Sequence, residues 1–83
     1  MTIVNKAERE VRRVFGLADV EADVDTGELV RVCVDGWPDQ VVYRTEPLIA
    51  TLEGFSDGHG KTEDGDREVC SALEEAGAFL SIG

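Results

Sequence analysis

The sequence predicts an α+β fold, a mainly antiparallel sheet of three or four strands with helices on one face, in the order α-β-β-β-α-α-β. Three observations predict it. Apolar residues recur at helical spacing near the N-terminus, alternate with period two between residues 19 and 44, and then return to helical spacing. The alternating part is cut by "DTG" and "GWPD", both rich in turn-forming residues. The 83 residues, 42% of them hydrophobic, are enough to bury one modest core and too few for a second folding unit, so residues 1–83 read as one domain.

The first helix is expected in "NKAEREVRRVFG". Ala7, Val11, Val14 and Phe15 form its apolar stripe, which Val4 extends by one turn. Asn5 is read as its N-cap, with Glu8 three residues on, and Gly16 as its stop. Glu8 and Arg12 make a favourable i, i+4 pair. Lys6, Arg9 and Arg13 fall on the opposite face.

Three strands follow. A three-residue loop of Asp25, Thr26 and Gly27, with the glycine left-handed, sets Glu21 opposite Arg31 and Ala22 opposite Val30. Val20, Val30, Val32 and Val34 then share one face, whereas a two-residue loop mixes the faces. In the third strand Val41 and Tyr43 are expected inward, Val42 and Arg44 outward. "EPLIATLEGF" reads as a short helix with Leu48, Ile49, Leu52 and Phe55 on one side and Pro47 in the first turn. A Gly- and Asp-rich stretch reads as a flexible surface loop. The last helix is expected from about Asp64, burying Val69, Leu73 and Ala76 with Cys70 on its flank and Gly77 at its end. "AFLSI" then reads as a final strand.

Eighteen acidic residues against eight basic ones give a formal charge of −10. The bases are concentrated in residues 1–17, as Lys6, Arg9, Arg12 and Arg13. The rest of the chain sets only Arg31, Arg44, Lys61 and Arg67 against all carboxylates except Glu8 and Glu10. Such a surface repels phosphate, which disfavours direct nucleic-acid and anionic-membrane binding and points to a basic protein surface as partner. No stretch approaches the roughly 20 apolar residues of a membrane span, and the N-terminus lacks a secretory apolar region. The expectation is a cytoplasmic monomer or weak dimer. Cys33 and Cys70 are far apart without a CxxC neighbour, so free thiols are expected, with a single disulfide as the other arrangement.

The order of the first five elements is that of double-stranded-RNA-binding domains, but the charge has the wrong sign and that function is not carried over.

"GHGKT", residues 58–62, suggests a phosphate-binding loop. That motif requires G-x-x-x-x-G-K-[ST] so that spaced glycines let backbone N–H groups curl around phosphate. Counting back five from Gly60 reaches Phe55, Gly54 is one residue too early, and Asp57, Glu63, Asp64 and Asp66 crowd the site with negative charge. Those carboxylates suit a hard cation in type, yet the calcium-loop spacing is not met, and no metal or cofactor is expected. His59, between two glycines, lacks a held catalytic geometry, so the chain is read as a non-enzyme.

The most informative stretch is "DVEADVD". In an extended strand Asp19, Glu21, Asp23 and Asp25 share one face, with successive charges roughly 6.6 Å apart, twice the strand rise and of the order of phosphate spacing. Only Arg31 is close enough across the strand to offset them. A charged row also serves a plainer purpose, since edge strands carry charge to prevent aggregation. Trp37, at the tip of "DGWPD", either folds back as a lid on the core or stands out as an interface anchor.

Two functions follow. In the first, the protein is a non-enzymatic inhibitor whose acidic surface mimics nucleic acid and blocks the basic groove of a DNA- or RNA-handling partner. Asp19, Glu21, Asp23, Asp25 and Glu28 would supply charge, Trp37 an anchor, and Asp57, Glu63, Asp64 and Asp66 a second patch. In size and charge the chain is similar to small acidic phage-encoded inhibitors of restriction and CRISPR complexes, a likeness of class and not of motif. In the second, it is a housekeeping domain or subunit of an acidic, halophile-like proteome, and its charge carries no information about partners.

Overall fold

A computed structural model describes residues 3–82. Helix α1 (Ile3–Phe15) leads into strands β1 (Ala18–Ala22), β2 (Leu29–Val34) and β3 (Val41–Arg44). Helix α2 (Thr45–Glu53), a 3-10 turn (His59–Lys61), helix α3 (Glu63–Glu75) and strand β4 (Phe79–Ile82) complete the chain. The four strands form one antiparallel sheet in the order β1-β2-β3-β4. This is the predicted α+β fold in the predicted order of elements.

Alternation decides the core. Val20, Val30, Val32, Val34 and Tyr43 turn one face of the sheet onto Ala7, Val11, Val14 and Phe15 of α1, Leu48, Ile49 and Leu52 of α2, and Val69 and Leu73 of α3. The β1–β2 register pairs Glu21 with Arg31 and Ala22 with Val30, as the three-residue loop requires. Gly27 takes φ +78° and its N–H donates to the Val24 carbonyl, a left-handed position that only glycine fills without strain. Thr45, fully buried at the start of α2, ties this turn down by donating its hydroxyl to the Gly27 carbonyl.

Four local expectations are corrected. Asn5 does not cap α1, because the helix already runs from Ile3. Ala76 is exposed at the end of α3, where left-handed Gly77 (φ +75°) reverses the chain and buries Ala78 in its place. Val42 shares the outer face with Arg31 and Ser81 yet is buried, since β3 has a neighbouring strand on each side. The Gly- and Asp-rich stretch is a packed turn: Gly60 lies buried against the Phe15 ring, the Gly58 N–H donates to the Arg13 carbonyl, and His59 tilts over Phe55 at 5.1 Å.

Arg13 organises this side of the molecule. Its guanidinium donates to the Leu52 carbonyl in the last turn of α2 at 2.7 Å and to the Phe55 carbonyl just beyond it at 2.8 Å. It also donates to Glu10 and Asp57, and these hydrogen bonds, Asp57 first, raise its pKa further above the ordinary arginine value. Of the basic face expected on α1, Arg13 is thus committed within the fold, while Lys6 lies 3.7 Å from Glu53 at the surface.

Candidate acidic docking surface

Among the described residues strand β1 is an edge of the sheet, paired only with β2. Ala18 and Val20 point into the core, so period two sends Asp19 and Glu21 outward. Asp19 has 88% of its side chain exposed. Asp23 lies just past the strand but still follows its line, because its N–H donates to the Leu29 carbonyl. Asp25 leaves the line. The turn closed by the Gly27 N–H on the Val24 carbonyl requires Asp25 and Thr26 to abandon extended geometry. The ordered row is thus Asp19, Glu21 and Asp23, with Asp25 and Glu28 exposed on the adjoining hairpin tip.

Two arginines temper the row. Arg31 sits opposite Glu21 in register, yet its guanidinium reaches diagonally to Asp23 at 2.7 Å. Arg12 donates to the Ala18 carbonyl at 2.9 Å, pairs with Glu8, and comes within 4.0 Å of Asp19. Glu21, Asp25 and Glu28 have no ion-pair partner among the described residues. One neighbour escaped the sequence reading. Asp35, whose N–H donates to the Leu17 carbonyl, shares a shallow pocket with Asp19, and Leu17 beside it is 76% exposed. The β1–β2 register, continued one step past the Ala18–Val34 pair, is the signal that places Asp35 there.

The other candidate residues lie elsewhere. Trp37 folds back: its ring meets Phe15 edge to face at 5.2 Å, on the helix side of the sheet and away from the outward row. Asp57 is engaged by Arg13 at 2.8 Å. Glu63, Asp64 and Asp66 occupy the first turn of α3, where negative charge complements the helix dipole, and Thr62 caps that turn by accepting from the Gly65 N–H. Their clustering has a structural cause independent of any ligand.

The "GHGKT" segment has no open phosphate cradle. The N–H groups of Gly58, His59 and Lys61 donate to the carbonyls of Arg13, Ser56 and Gly58, and helix α2, not a buried strand, precedes the turn. His59 Nε2 lies 3.2 Å from Glu68. Among the described residues no three His, Cys, Asp or Glu side chains are grouped to hold a metal ion, and no helix is long and apolar enough to cross a membrane. Cys33 and Cys70 are both free thiols. Burial, with the nearby charges of Asp66 and Glu74, pushes the Cys70 thiol up to about 11. Comparison with protein-family models, curated proteins and solved structures returns no match.

Proposed function

We propose that this protein is a non-enzymatic binder that presents the β1 edge to a basic groove on a partner that handles DNA or RNA, occupying the groove in place of nucleic acid. The observation that carries this reading is the row Asp19, Glu21 and Asp23 on an edge strand, extended by Asp35 at one end and by Asp25 and Glu28 at the other. Carboxylates held by backbone geometry at near-phosphate spacing lose little conformational freedom on docking, so their charge is available as affinity and as steering. Exposed Leu17 beside Asp19 and Asp35 gives the row an apolar contact, the part assigned to Trp37 by sequence. The surrounding excess of negative charge raises the association rate with a positive surface and makes it fall with salt.

The test is capture of partners from the native host lysate by the immobilised protein, washed at low and high salt and read by mass spectrometry. The expected partner is a basic nucleic-acid-handling protein, released by salt and displaced by its own DNA or RNA substrate. The variant Asp19→Asn, Glu21→Gln, Asp23→Asn should lose most of the affinity while keeping its fold. A captured partner that holds equally well to this variant, or is indifferent to competing nucleic acid, would falsify the reading. The acidic-proteome alternative makes a different prediction: no such partner, and a fold that reaches full stability only in molar salt.

A further inference from the structure

The opposite edge of the sheet has a separate character. Among the described residues strand β4 pairs only with β3, which leaves its outer side open. It carries no charge, and Phe79, Leu80 and Ile82 are 38%, 39% and 63% exposed. Beside it, between the sheet and α3, runs a groove of about 260 Å³. Tyr43 and Phe79, edge to face at 6.3 Å, form part of its apolar lining together with Trp37. Asp39, Asp66 and Glu74 also line it, and none of its lining residues is Lys, Arg or His. The carboxylates are felt inside: the charges of Asp66 and Glu74 add to burial in raising both the Tyr43 phenol and the Cys70 thiol.

We propose that β4 is a second docking edge, on which an extended segment of a partner protein adds a fifth strand and lays arginine or lysine side chains across the groove. Main-chain pairing with an open edge supplies affinity without regard to sequence, and the groove supplies selectivity at alternate positions. A long basic side chain suits this lining on both counts, its aliphatic stem covering Phe79 and Ile82 while its head reaches Asp66 or Glu74. Arginine also stacks favourably on an aromatic face such as that of half-buried Trp37. A second copy of this chain is a poor occupant, because pairing β4 with β4 brings together two molecules of formal charge −10, each with three carboxylates at the contact. This site is independent of the β1 reading.

The experiment uses a capped octapeptide alternating arginine and valine, titrated into the intact protein. Binding is followed by Trp37 emission, since this single tryptophan lines the groove, and by amide shifts in two-dimensional NMR. The expected result is saturable binding with shifts concentrated in residues 79–82 and along α3 from Asp66 to Glu74. Affinity should fall about tenfold or more in Ile82→Lys and in Asp66→Asn, Glu74→Gln, as expected when a close charge pair is removed or a like charge is added. Two further peptides carry N-methyl groups on all arginines or on all valines. One of them should fail to bind, because only one set of amides can face β4.

The β1 triple variant should bind the octapeptide as the parent does, which separates failure here from failure of the proposed function. Three results would overturn the proposal. One is the absence of binding. Another is equal binding of a block peptide of four arginines followed by four valines, which reports charge alone. The last is a concentration-dependent dimer protecting residues 79–82, which identifies a second copy as the occupant.

Discussion

At one edge of the sheet, β1 sets Ala18 and Val20 inward and Asp19 and Glu21 outward; at the other, β4 exposes Phe79, Leu80 and Ile82 and bears no charge. Both edges leave backbone groups unpaired, and both meet the same hazard of uncontrolled strand addition. Charge answers it at β1. At β4 the nearest guards are the bulge between Val42 and Tyr43, which leaves Leu80 without a register partner, and carboxylates contributed by other elements. The contrast teaches that charge on this molecule is distributed by position. It stands on the strand itself at β1, and is contributed by other elements around the apolar groove beside β4.

The backing of the two edges also differs, and this gives the largest expected effects. Behind β4 lies α3, whose Leu73 carbonyl accepts from the N–H of Ala78, the residue before the strand. Leu73 is fully buried, so Leu73→Ala should cost about 3 kcal/mol in urea unfolding through lost burial and a residual cavity. Hydrogen exchange in that variant should accelerate in β4 before β1. Equal acceleration at both edges would mean that the sheet opens as a unit and that the edges are not separately supported.

Behind β1 lies α1, packed through its apolar stripe and tied to the end of α2 by Arg13. Arg13→Ala removes donors from the Leu52 and Phe55 carbonyls and releases Glu10 and Asp57, for an expected loss of about 2 kcal/mol. Arg13→Lys should recover only part of it, since an ammonium cannot serve the divided geometry of a guanidinium. A thermal-unfolding midpoint for Arg13→Ala indistinguishable from that of the parent would contradict the clamp.

These two supports differ in how far they could be read from the chain. The hydrophobic stripe of α1 and the β1–β2 register were legible because they are local: alternation fixes the faces, and Gly27 fixes the turn. The reading failed where the cause was distant. Arg13 meets Leu52, Phe55 and Asp57 at separations of 39, 42 and 44 residues, and periodicity carries no information about such contacts. The same limit hid the groove. "AFLSI" read as a strand, but an uncharged run of that length is common in a chain that is 31% charged and singled out no edge. Its pairing with β3 and its nearness to Asp66 and Glu74 arise only when α3 folds over the sheet. At β1 the alternating acids were legible, while the point at which the row ends was decided by turn geometry.

A smaller effect sharpens the contrast directly. Neutralising Asp19, Glu21 and Asp23 removes the Arg31 pair but also removes mutual repulsion, so stability should move by no more than about 0.5 kcal/mol. What should change is association. With its charge gone, β1 becomes an unguarded edge, and sedimentation at salt high enough to screen the remaining negative charge should reveal self-association absent from the parent. Ile82→Lys, which places a guard on β4, should leave the parent's sedimentation unchanged.

The last expected effect is confined to alkaline pH and concerns the β4 side. Burial raises the Cys70 thiol from an ordinary value of 9.0 to about 11, with Asp66, Glu74 and a weak hydrogen bond to Asp66 adding to it. Tyr43, more deeply buried, is displaced in the same direction. The folded state therefore holds the proton more tightly than the unfolded chain. Stability from this source is fully present below about pH 9 and is lost as pH rises toward 11, because the unfolded thiol ionises first. Cys70→Ala should flatten that loss between pH 9 and 11. Loosening should begin as faster exchange in β4 and α3, and an alkaline transition that starts instead in β1 would place the sensitive group on the wrong side of the sheet.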